Sequence, residues 1–193
     1  MNILGLIGPA GCGKDTVAGF LKGYGYERAA SADAMKDDIA RYLQISRSDV
    51  DYYKDKSLSL LVNTLPMDVN IGSFSIRTFL QAYGMDLRNQ HGDNYWIERS
   101  VNSKVEEYGE SAKIIITDIR FQNEIGYIKE RRGKVAYIDG RSSLRGDHKA
   151  HISEALAHSE DIKSRVDFII NNSRDIVALH GTLKGLLTRG IIE

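Results

Sequence analysis

The residues Gly8–Lys14 form the pattern G-x-x-x-x-G-K, in which glycines and a lysine are spaced to bind an anion. Glycine permits backbone angles that turn successive N–H groups toward one point, and lysine adds a mobile positive charge. The apolar run Ile3–Ile7 precedes the pattern, while Val17, Phe20 and Leu21 follow it at helical spacing. A strand, a glycine turn and a helix N-terminus in this order predict a loop that binds phosphate groups.

The residues of this phosphate loop, Gly8–Lys14, have separate expected roles. The main-chain amides of Gly11, Cys12 and Gly13 are expected to bind the phosphates of a nucleoside triphosphate. The Lys14 ammonium is expected to neutralise the β- and γ-phosphates, which makes it a catalytic candidate. Cys12 is predicted to fill space and not to act as a nucleophile, since its thiol would face a phosphate and not an acyl group.

The two residues after Lys14 depart from the usual end of this motif. Asp15 stands where Ser or Thr normally follows the lysine, and Thr16 comes one place later. The Lys-x-Thr order resembles that of nucleoside monophosphate kinases of the adenylate kinase type. Thr16 is then expected to bind Mg²⁺, directly or through water. For Asp15 three roles stay open: holding metal-bound water, pairing with a neighbouring arginine, or stabilising the helix dipole.

A carboxylate follows a second buried run, the β-branched stretch Lys113–Thr117. In open α/β sheets ligands bind at the carboxyl ends of the strands, so Asp118 is a candidate ligand of Mg²⁺, directly or through water. Its alternative role is a cap for the turn that follows. Arg120 comes two residues later, and a guanidinium there would neutralise the charge of a transferred phosphoryl group.

A polar segment, Arg141–Ala150, follows the next apolar run. Arg141 and Arg145, together with His148 and Lys149, would suit a mobile lid that closes over the reacting groups and expels water. Arg141 is accordingly a catalytic candidate. The alternative is a solvated loop whose charges have no role.

Short apolar runs alternate with helical stripes along the chain, which predicts parallel strands in a three-layer α/β domain. We expect a mostly parallel central sheet of about five strands, flanked by helices. The segment 46–75 stays open between an inserted helical lobe and a loop. The predicted strands are Ile3–Ile7, Tyr26–Ala30, Lys113–Thr117, Lys134–Ile138 and Val166–Ile170.

Composition limits the class of protein. The 193 residues carry 26 Lys+Arg and 26 Asp+Glu, and this balance argues against a partner that is a nucleic acid polymer. The single cysteine, Cys12, excludes an internal disulfide and a Cys/His metal framework. The start Met1–Gly5 has no basic leader, and no apolar run reaches the length of a membrane span. A single cytoplasmic domain that does not bind a membrane is therefore expected.

Further motifs occur in a fixed order along the chain. Together with the phosphate loop they resemble the bacteriophage-type deoxynucleoside monophosphate kinases, a family of P-loop kinases. They are Ser31–Lys36, Arg77–Gly84, Arg88 with Asp93 and Trp96, Thr117–Glu124, His151–Glu154 and Val166–Asn172. The resemblance implies the P-loop kinase fold, with an acceptor-binding lobe at about 34–100 and a lid at about 140–158. It also implies phosphoryl transfer from ATP with Mg²⁺ to the 5′-phosphate of a deoxynucleoside monophosphate, giving a diphosphate and ADP for DNA precursor synthesis.

The same resemblance implies a set of acceptor-binding residues with polar or charged side chains. They are Ser31, Asp33, Lys36, Arg77, Gln81 and Arg88. Arg77 and Arg88 would bind the acceptor phosphate, which carries about two negative charges and suits paired donors. Gln81 lies four residues after Arg77, on the same helical face, and would contact the base or sugar.

Three residue sets outside these clusters have expected roles. Asn171 and Asn172, at the end of the last predicted strand, either frame the adenine of ATP or form a turn. Trp96 is predicted to pack under the acceptor-binding lobe. His151 is predicted to fix the lid by hydrogen bonds and not to act as a base.

Two other functions remain open on the sequence alone. Another small-molecule P-loop kinase, of the dephospho-coenzyme A or phosphomevalonate type, shares the phosphate loop and the carboxylate at the strand end. A non-catalytic nucleotide-binding switch shares the loop but needs no arginines for a second substrate. The sequence gives neither the accepted bases nor the choice between a monomer and a homodimer.

Overall fold

A computed structural model describes residues 1–53, 76–140 and 160–193 of the chain. The chain divides into two compact units, of which the first comprises Met1–Ala30 and Val101–Glu193 and the second Ser31–Ser100. Nearly all of the predicted lid, at about 140–158, lies outside the described residues. The predicted acceptor-binding lobe overlaps the second unit, and its function stays a prediction.

The first unit is built on a parallel sheet. Within the described residues its strands are β1 (Asn2–Ile7), β2 (Tyr26–Ala29), β3 (Lys113–Ile116), β4 (Lys134–Gly140) and β5 (Phe168–Asn172). They lie in the order β2-β3-β1-β4-β5, and every neighbouring pair is parallel. The central strand β1 pairs Asn2 with Lys113 on one side and Leu4 with Lys134 on the other. The carboxyl ends of all these strands therefore meet at one edge of the sheet.

Eight helices are described alongside these strands. They are α1 (Lys14–Lys22), α2 (Ser31–Tyr42), α3 (Arg47–Tyr53), α4 (Ile76–His91), α5 (Tyr95–Tyr108), α6 (Gln122–Glu130), α7 (Glu160–Arg165) and α8 (Ile176–Thr188). None of the helices in the described ranges is long and apolar enough to cross a membrane.

Helices cover both faces of the sheet in the first unit. On one face, Leu4 and Leu6 of β1 belong to a buried cluster with Leu21 of α1 and Leu183 of α8. Each such fully buried aliphatic side chain contributes about 1.5–3 kcal/mol through the hydrophobic effect. On the other face α6 approaches β1 so closely that a Cβ at Gly5 would lie 2.5 Å from Cδ1 of Ile128. The predicted three-layer α/β fold with about five parallel strands is confirmed.

The last two strands continue further than the apolar pattern predicts. The runs Lys134–Ile138 and Val166–Ile170 are apolar, but the parallel ladder extends to the pairs Asp139 with Asn171 and Gly140 with Asn172. Apolar periodicity ends where side chains stop being buried, whereas backbone hydrogen bonding continues through polar residues. This extension is the reason that Gly140 and Asn172 reach the phosphate loop.

The second unit has a separate helical core. Helix α2 contributes Ile39, the turn directly after it contributes Leu43, α3 contributes Val50, and α4 contributes Ile76 and Leu80. Of the segment 46–75, the part in α3 is therefore helical, and residues 54–75 lie outside the described ranges.

The predicted packing role of Trp96 is confirmed. Its side chain is buried, and its indole Nε1 donates a hydrogen bond to the carbonyl oxygen of Gly84 at 2.9 Å. A Cβ at Gly84 would lie 3.1 Å from Sδ of Met35, so glycine permits this close approach of α2 and α4. Trp96 thus holds the start of α5 against α4 within the second unit.

Candidate active site

The phosphate loop leaves β1 and turns into α1. Gly8, Gly11 and Gly13 have positive φ angles of 149°, 76° and 104°. The value at Gly13, immediately before the first residue of α1, lies in a region that residues with a Cβ rarely adopt. The N–H of Cys12 donates to the carbonyl oxygen of Pro9 at 3.2 Å, so this amide is engaged inside the loop. The loop is curled, as its glycine pattern predicts.

Lys14 lies at the start of α1 with its side chain over the loop. Its Nζ donates to the carbonyl oxygens of Gly8 at 2.7 Å and Pro9 at 2.8 Å. The same Nζ lies 3.7 Å from Sγ of Cys12. The ammonium is therefore held beside the loop backbone and the N-terminus of α1, where two sources of positive potential coincide.

Cys12 is buried beneath this ammonium. Burial raises the pKa of the Cys12 thiol, and the neighbouring Lys14 charge only partly offsets that rise. A buried, protonated thiol is a poor nucleophile. The environment of Cys12 therefore supports its predicted space-filling role.

Asp15 contacts an arginine from the neighbouring strand. The Nε of Arg28, on β2, donates to Oδ1 of Asp15 at 3.1 Å, and both side chains are exposed. This contact corresponds to pairing with an arginine, which is one of the three roles left open for Asp15. Exposed pairs contribute about 0–1 kcal/mol to stability, so the pair orients side chains more than it stabilises the fold.

The residues present are suited to Mg²⁺. This ion keeps several waters and takes one or two protein oxygens together with substrate phosphates. Thr16, exposed on the first turn of α1, and Asp118, half-buried after β3, offer oxygens of this kind. The described part of the chain holds no group of three or more His, Cys, Asp or Glu residues that could bind a metal. Thr16 and Asp118 would therefore suit Mg²⁺ as its one or two protein ligands.

The turn after β3 is fixed by a buried carboxylate. Oε2 of Glu124 accepts hydrogen bonds from the backbone N–H groups of Arg120 at 2.7 Å and Phe121 at 2.9 Å. Glu124 is 5% exposed, and it lies three residues after the N-cap of α6. These bonds form only the carboxylate half of a capping box, because the N-cap residue Phe121 has no side-chain acceptor. Glu124 thus fixes the backbone that carries Arg120.

We expect Glu124→Ala to lower the free energy of unfolding by about 2 kcal/mol, because it removes the acceptor of hydrogen bonds from two partly buried N–H groups. Glu124→Gln should lose less than half of that, since its amide oxygen still accepts a hydrogen bond. Chemical denaturation measures both values. Glu130→Ala, an exposed change at the end of the same helix, is the control and should be neutral. Equal losses in the Ala and Gln variants would contradict the capping role.

The two asparagines at the end of β5 have different contacts. Oδ1 of Asn171 accepts from the backbone N–H of Ser173 at 3.0 Å and from its hydroxyl at 2.6 Å. Asn171 therefore forms the turn that was one of its two predicted roles. Nδ2 of Asn172 instead donates to the carbonyl oxygen of Cys12 at 2.8 Å, a contact that neither expectation included. Adenine binding by either residue stays a prediction.

In the second unit, two implied acceptor-binding residues belong to an ion-pair cluster. The guanidinium of Arg47 contacts the carboxylates of Asp33 at 2.7 Å, Asp37 at 2.9 Å and Asp51 at 2.7 Å. Nζ of Lys36 lies 2.6 Å from Asp51. Burial raises the pKa of Asp51, but hydrogen bonds from Lys36 and Arg47 outweigh burial and lower it overall. Arg47 therefore links α2 to α3, and it lies in the segment whose structure the sequence left open.

The other implied acceptor residues lie on α2 and α4. Nη2 of Arg88 donates to Oδ1 of Asp93 at 3.0 Å, and the Arg88 side chain is 11% exposed. Arg77 and Gln81 are both partly buried and lie one helical turn apart on α4. Ser31 is buried at the first position of α2.

A second network in this unit was not predicted. Both oxygens of Asp38 accept hydrogen bonds from Arg99, at 2.5 and 2.6 Å, and the hydroxyl of Tyr83 donates to the same carboxylate at 3.1 Å. Burial raises the pKa of Asp38, but Arg99 above all, with Tyr83 and Arg41, lowers it overall. The pKa of Arg99 is raised in return. This network connects α2, α4 and the start of α5.

Several predicted site residues lie outside the described ranges. They are Arg141, Arg145, His148, Lys149 and His151. Their roles as lid and catalytic residues stay predictions.

A comparison with protein families gives a match over most of the chain. The family model described as deoxynucleotide monophosphate kinase matches residues 54–183, about two thirds of the sequence. This stretch includes Arg88, Asp118 and Arg120 and begins after the phosphate loop, so the loop and the family match are separate observations. The resemblance inferred from the sequence motifs is confirmed at the level of the family.

Individual relatives agree with this match. A protein of Acanthamoeba polyphaga mimivirus, named as a candidate deoxynucleotide monophosphate kinase, is 28% identical over 183 residues, covering 89% of each chain. A dephospho-CoA kinase from Campylobacter jejuni has a TM-score of 0.51 at 15% identity, covering 97% of this chain and 96% of that one. A Thermus thermophilus crystal structure has a TM-score of 0.55 at 19% identity, covering 97% of both chains. At these identities the solved structures establish the fold and not the substrate.

Proposed function

Because this chain belongs to the deoxynucleotide monophosphate kinase family, we propose that it transfers the γ-phosphoryl group of ATP to a deoxynucleoside monophosphate. An oxygen of the acceptor 5′-phosphate attacks the γ-phosphorus, and the bond from that phosphorus to the bridging oxygen of ADP breaks. The products are ADP and a deoxynucleoside diphosphate. The observation that carries the proposal is the curled phosphate loop with Lys14 over it, which lies outside the matched stretch and independently suits a triphosphate.

The reaction needs no general base. The second ionisation of a phosphate monoester occurs near pH 6, so the acceptor is already an anion at neutral pH. Positioning and charge neutralisation therefore carry the rate enhancement. In this proposal Lys14 neutralises the donor phosphates, Arg120 and Arg141 the transferred group, and Thr16 and Asp118 would hold Mg²⁺. When bound, Mg²⁺ would neutralise charge on the β- and γ-phosphates.

The acceptor is proposed to bind to the second unit. Asp33 and Lys36 are engaged with Arg47 and Asp51, a cluster rich in carboxylates that a phosphate dianion would not favour. Arg88, by contrast, lies outside this cluster, and its Nη2 contacts the carboxylate of Asp93 at 3.0 Å. We therefore assign the acceptor phosphate to Arg77 and Arg88, and leave the carboxylate cluster to the sugar and base.

The direct test is an acceptor panel with the purified protein, ATP and Mg²⁺. Each of the four common deoxynucleoside monophosphates is supplied in turn, and ADP and the new diphosphate are quantified by chromatography. ADP formation that depends on at least one of them supports the proposal. Dephospho-coenzyme A and phosphomevalonate are included, because turnover with either of them alone would favour another small-molecule kinase. ATP binding with slow hydrolysis and no acceptor stimulation would instead indicate a nucleotide-binding switch.

We expect Arg88→Ala to raise the acceptor KM by about 10- to 100-fold, the effect of losing a hydrogen bond to a charged group. The KM for ATP should change less than twofold. Asp93→Asn is the matched control, since it removes the carboxylate that contacts Arg88 while keeping the guanidinium. Steady-state kinetics with both substrates varied measures these constants. A rise in the KM for ATP instead would place Arg88 on the donor side.

A further inference from the structure

The Cys12 carbonyl is held by a residue from the far end of the chain. Nδ2 of Asn172, the last residue of β5, donates to this oxygen at 2.8 Å. Asn172 is partly buried, and it pairs with Gly140 in the parallel ladder. The contact therefore joins the phosphate loop to the edge of the sheet and is not a surface encounter between mobile side chains.

Two glycines make room for this contact. A Cβ at Gly140 would lie 2.5 Å from the Cys12 oxygen, and a Cβ at Gly13 would overlap Nδ2 of Asn172. Any side chain at either position would displace the loop or the asparagine. The strand ends, the asparagine and the loop are thus packed closely around the Cys12 carbonyl.

The direction of this carbonyl sets the direction of the next amide. A peptide unit is planar and trans, so the C=O of Cys12 and the N–H of Gly13 point in opposite directions. Because Gly13 has no Cβ, its backbone tolerates rotation of the peptide plane more easily than that of other residues. After such a rotation the loop would present a carbonyl oxygen to an anion in place of an N–H.

We infer that Asn172 is a positioning residue of the donor site, which binds the Cys12 carbonyl and thereby aims the N–H of Gly13 at a bound phosphate. The inference rests on the proposed function in one respect, that the phosphate belongs to the donor nucleotide. In this role Asn172 affects the binding of the ATP phosphates, whereas in the alternative role its side chain would contact the adenine base. The two roles differ in what they predict for a ligand that has phosphates and no base.

Inorganic tripolyphosphate is such a ligand. Binding of tripolyphosphate and of ATP, each with Mg²⁺, is measured by calorimetry for the full-length wild type and the Asn172→Ala variant. We expect both dissociation constants to rise by the same factor, about tenfold, the effect of losing one hydrogen bond of ordinary strength. The KM for ATP should rise in parallel, and the acceptor KM should stay unchanged.

Ser173→Ala is the matched control, since Ser173 is the exposed next residue in the chain and its hydroxyl donates to Asn171. It should leave both dissociation constants within twofold of the wild type. Asn172→Ser keeps a hydroxyl donor and should recover part of the affinity for both ligands. It replaces the alanine variant in the test if that variant is unstable. Melting temperatures of all variants separate local from global loss of structure.

Each other outcome has a distinct meaning. Weaker binding of ATP with unchanged binding of tripolyphosphate would overturn the inference in favour of a contact with adenine. Equal effects of Ser173→Ala and Asn172→Ala would overturn it in favour of a general role in the turn. Failure of the wild type to bind either ligand would contradict the proposed function itself, and the inference with it.

Discussion

Lys14→Ala is expected to lower kcat/KM by about 100- to 1000-fold, the usual loss when one preorganised electrostatic contact to a transition state is removed. Nζ of Lys14 is held within 2.8 Å of two loop carbonyls, so its charge occupies a defined place beside the N-terminus of α1. Initial rates at varied ATP and acceptor concentrations measure the loss. Near-normal turnover would contradict the assignment of the phosphate loop.

Two further variants separate charge from packing at Lys14. Lys14→Met keeps most of the side-chain volume but no charge, and it should be as inactive as the alanine variant. Lys22→Ala removes the same charge from the exposed last turn of the same helix, and it should retain wild-type activity. Activity in Lys14→Met well above that of Lys14→Ala would mean that the side chain acts mainly by packing.

Arg99→Met is expected to lower the free energy of unfolding by about 2 kcal/mol at pH 7. The Asp38 carboxylate is 11% exposed and would lose both of its hydrogen bonds from Arg99. Breaking a buried pair costs about 3–5 kcal/mol, and we reduce this because the Arg99 side chain is itself 35% exposed. Arg41→Met is the control. It removes a second contact to Asp38, at 3.2 Å, but from a side chain that is 74% exposed, and it should cost less than about 0.5 kcal/mol.

This loss should depend on pH in one direction. The folded state lowers the pKa of Asp38, so the folded protein binds that proton less tightly than the unfolded chain does. The resulting stability is complete above the unfolded-state pKa of about 3.9 and disappears as the pH falls through the lower folded-state value. Denaturation of the wild type and of Arg99→Met at pH 7 and pH 3 should therefore show a smaller difference at pH 3. A difference independent of pH would mean that Arg99 stabilises by packing alone.

Features fixed by neighbouring residues could be predicted from the sequence. The phosphate loop, the turn at Asn171 and the carboxylate after β3 are each determined by residues that lie close together in the sequence. The alternation of apolar runs with helical stripes predicts the parallel sheet, because the strands bury both of their faces and each helix buries one. The packed position of Trp96 was also predicted, since a side chain as large and apolar as that of Trp is highly buried on average.

Features that depend on distant partners could not be predicted in the same way. Asn172 contacts Cys12, Arg99 contacts Asp38, and nothing near these residues in the sequence indicates the partner. The strand ends at Gly140 and Asn172 were missed because backbone pairing leaves no periodic signal in polar residues. Glu124 was missed because the N-cap residue is Phe121, so the sequence has the Glu of a capping box but not its Ser or Thr.

The discontinuous make-up of the first unit has a consequence for synthesis on the ribosome. Among the described strands the central one, β1, is translated before the others, yet its partners are β3, which begins at Lys113, and β4, which begins at Lys134. The continuous stretch Ser31–Ser100 is translated in full before either partner exists. We therefore expect the helices of the second unit to form early on the nascent chain. Until β3 and β4 have been translated, the apolar strand β1 has no partner strand, so we expect chaperones or rapid translation to limit its aggregation.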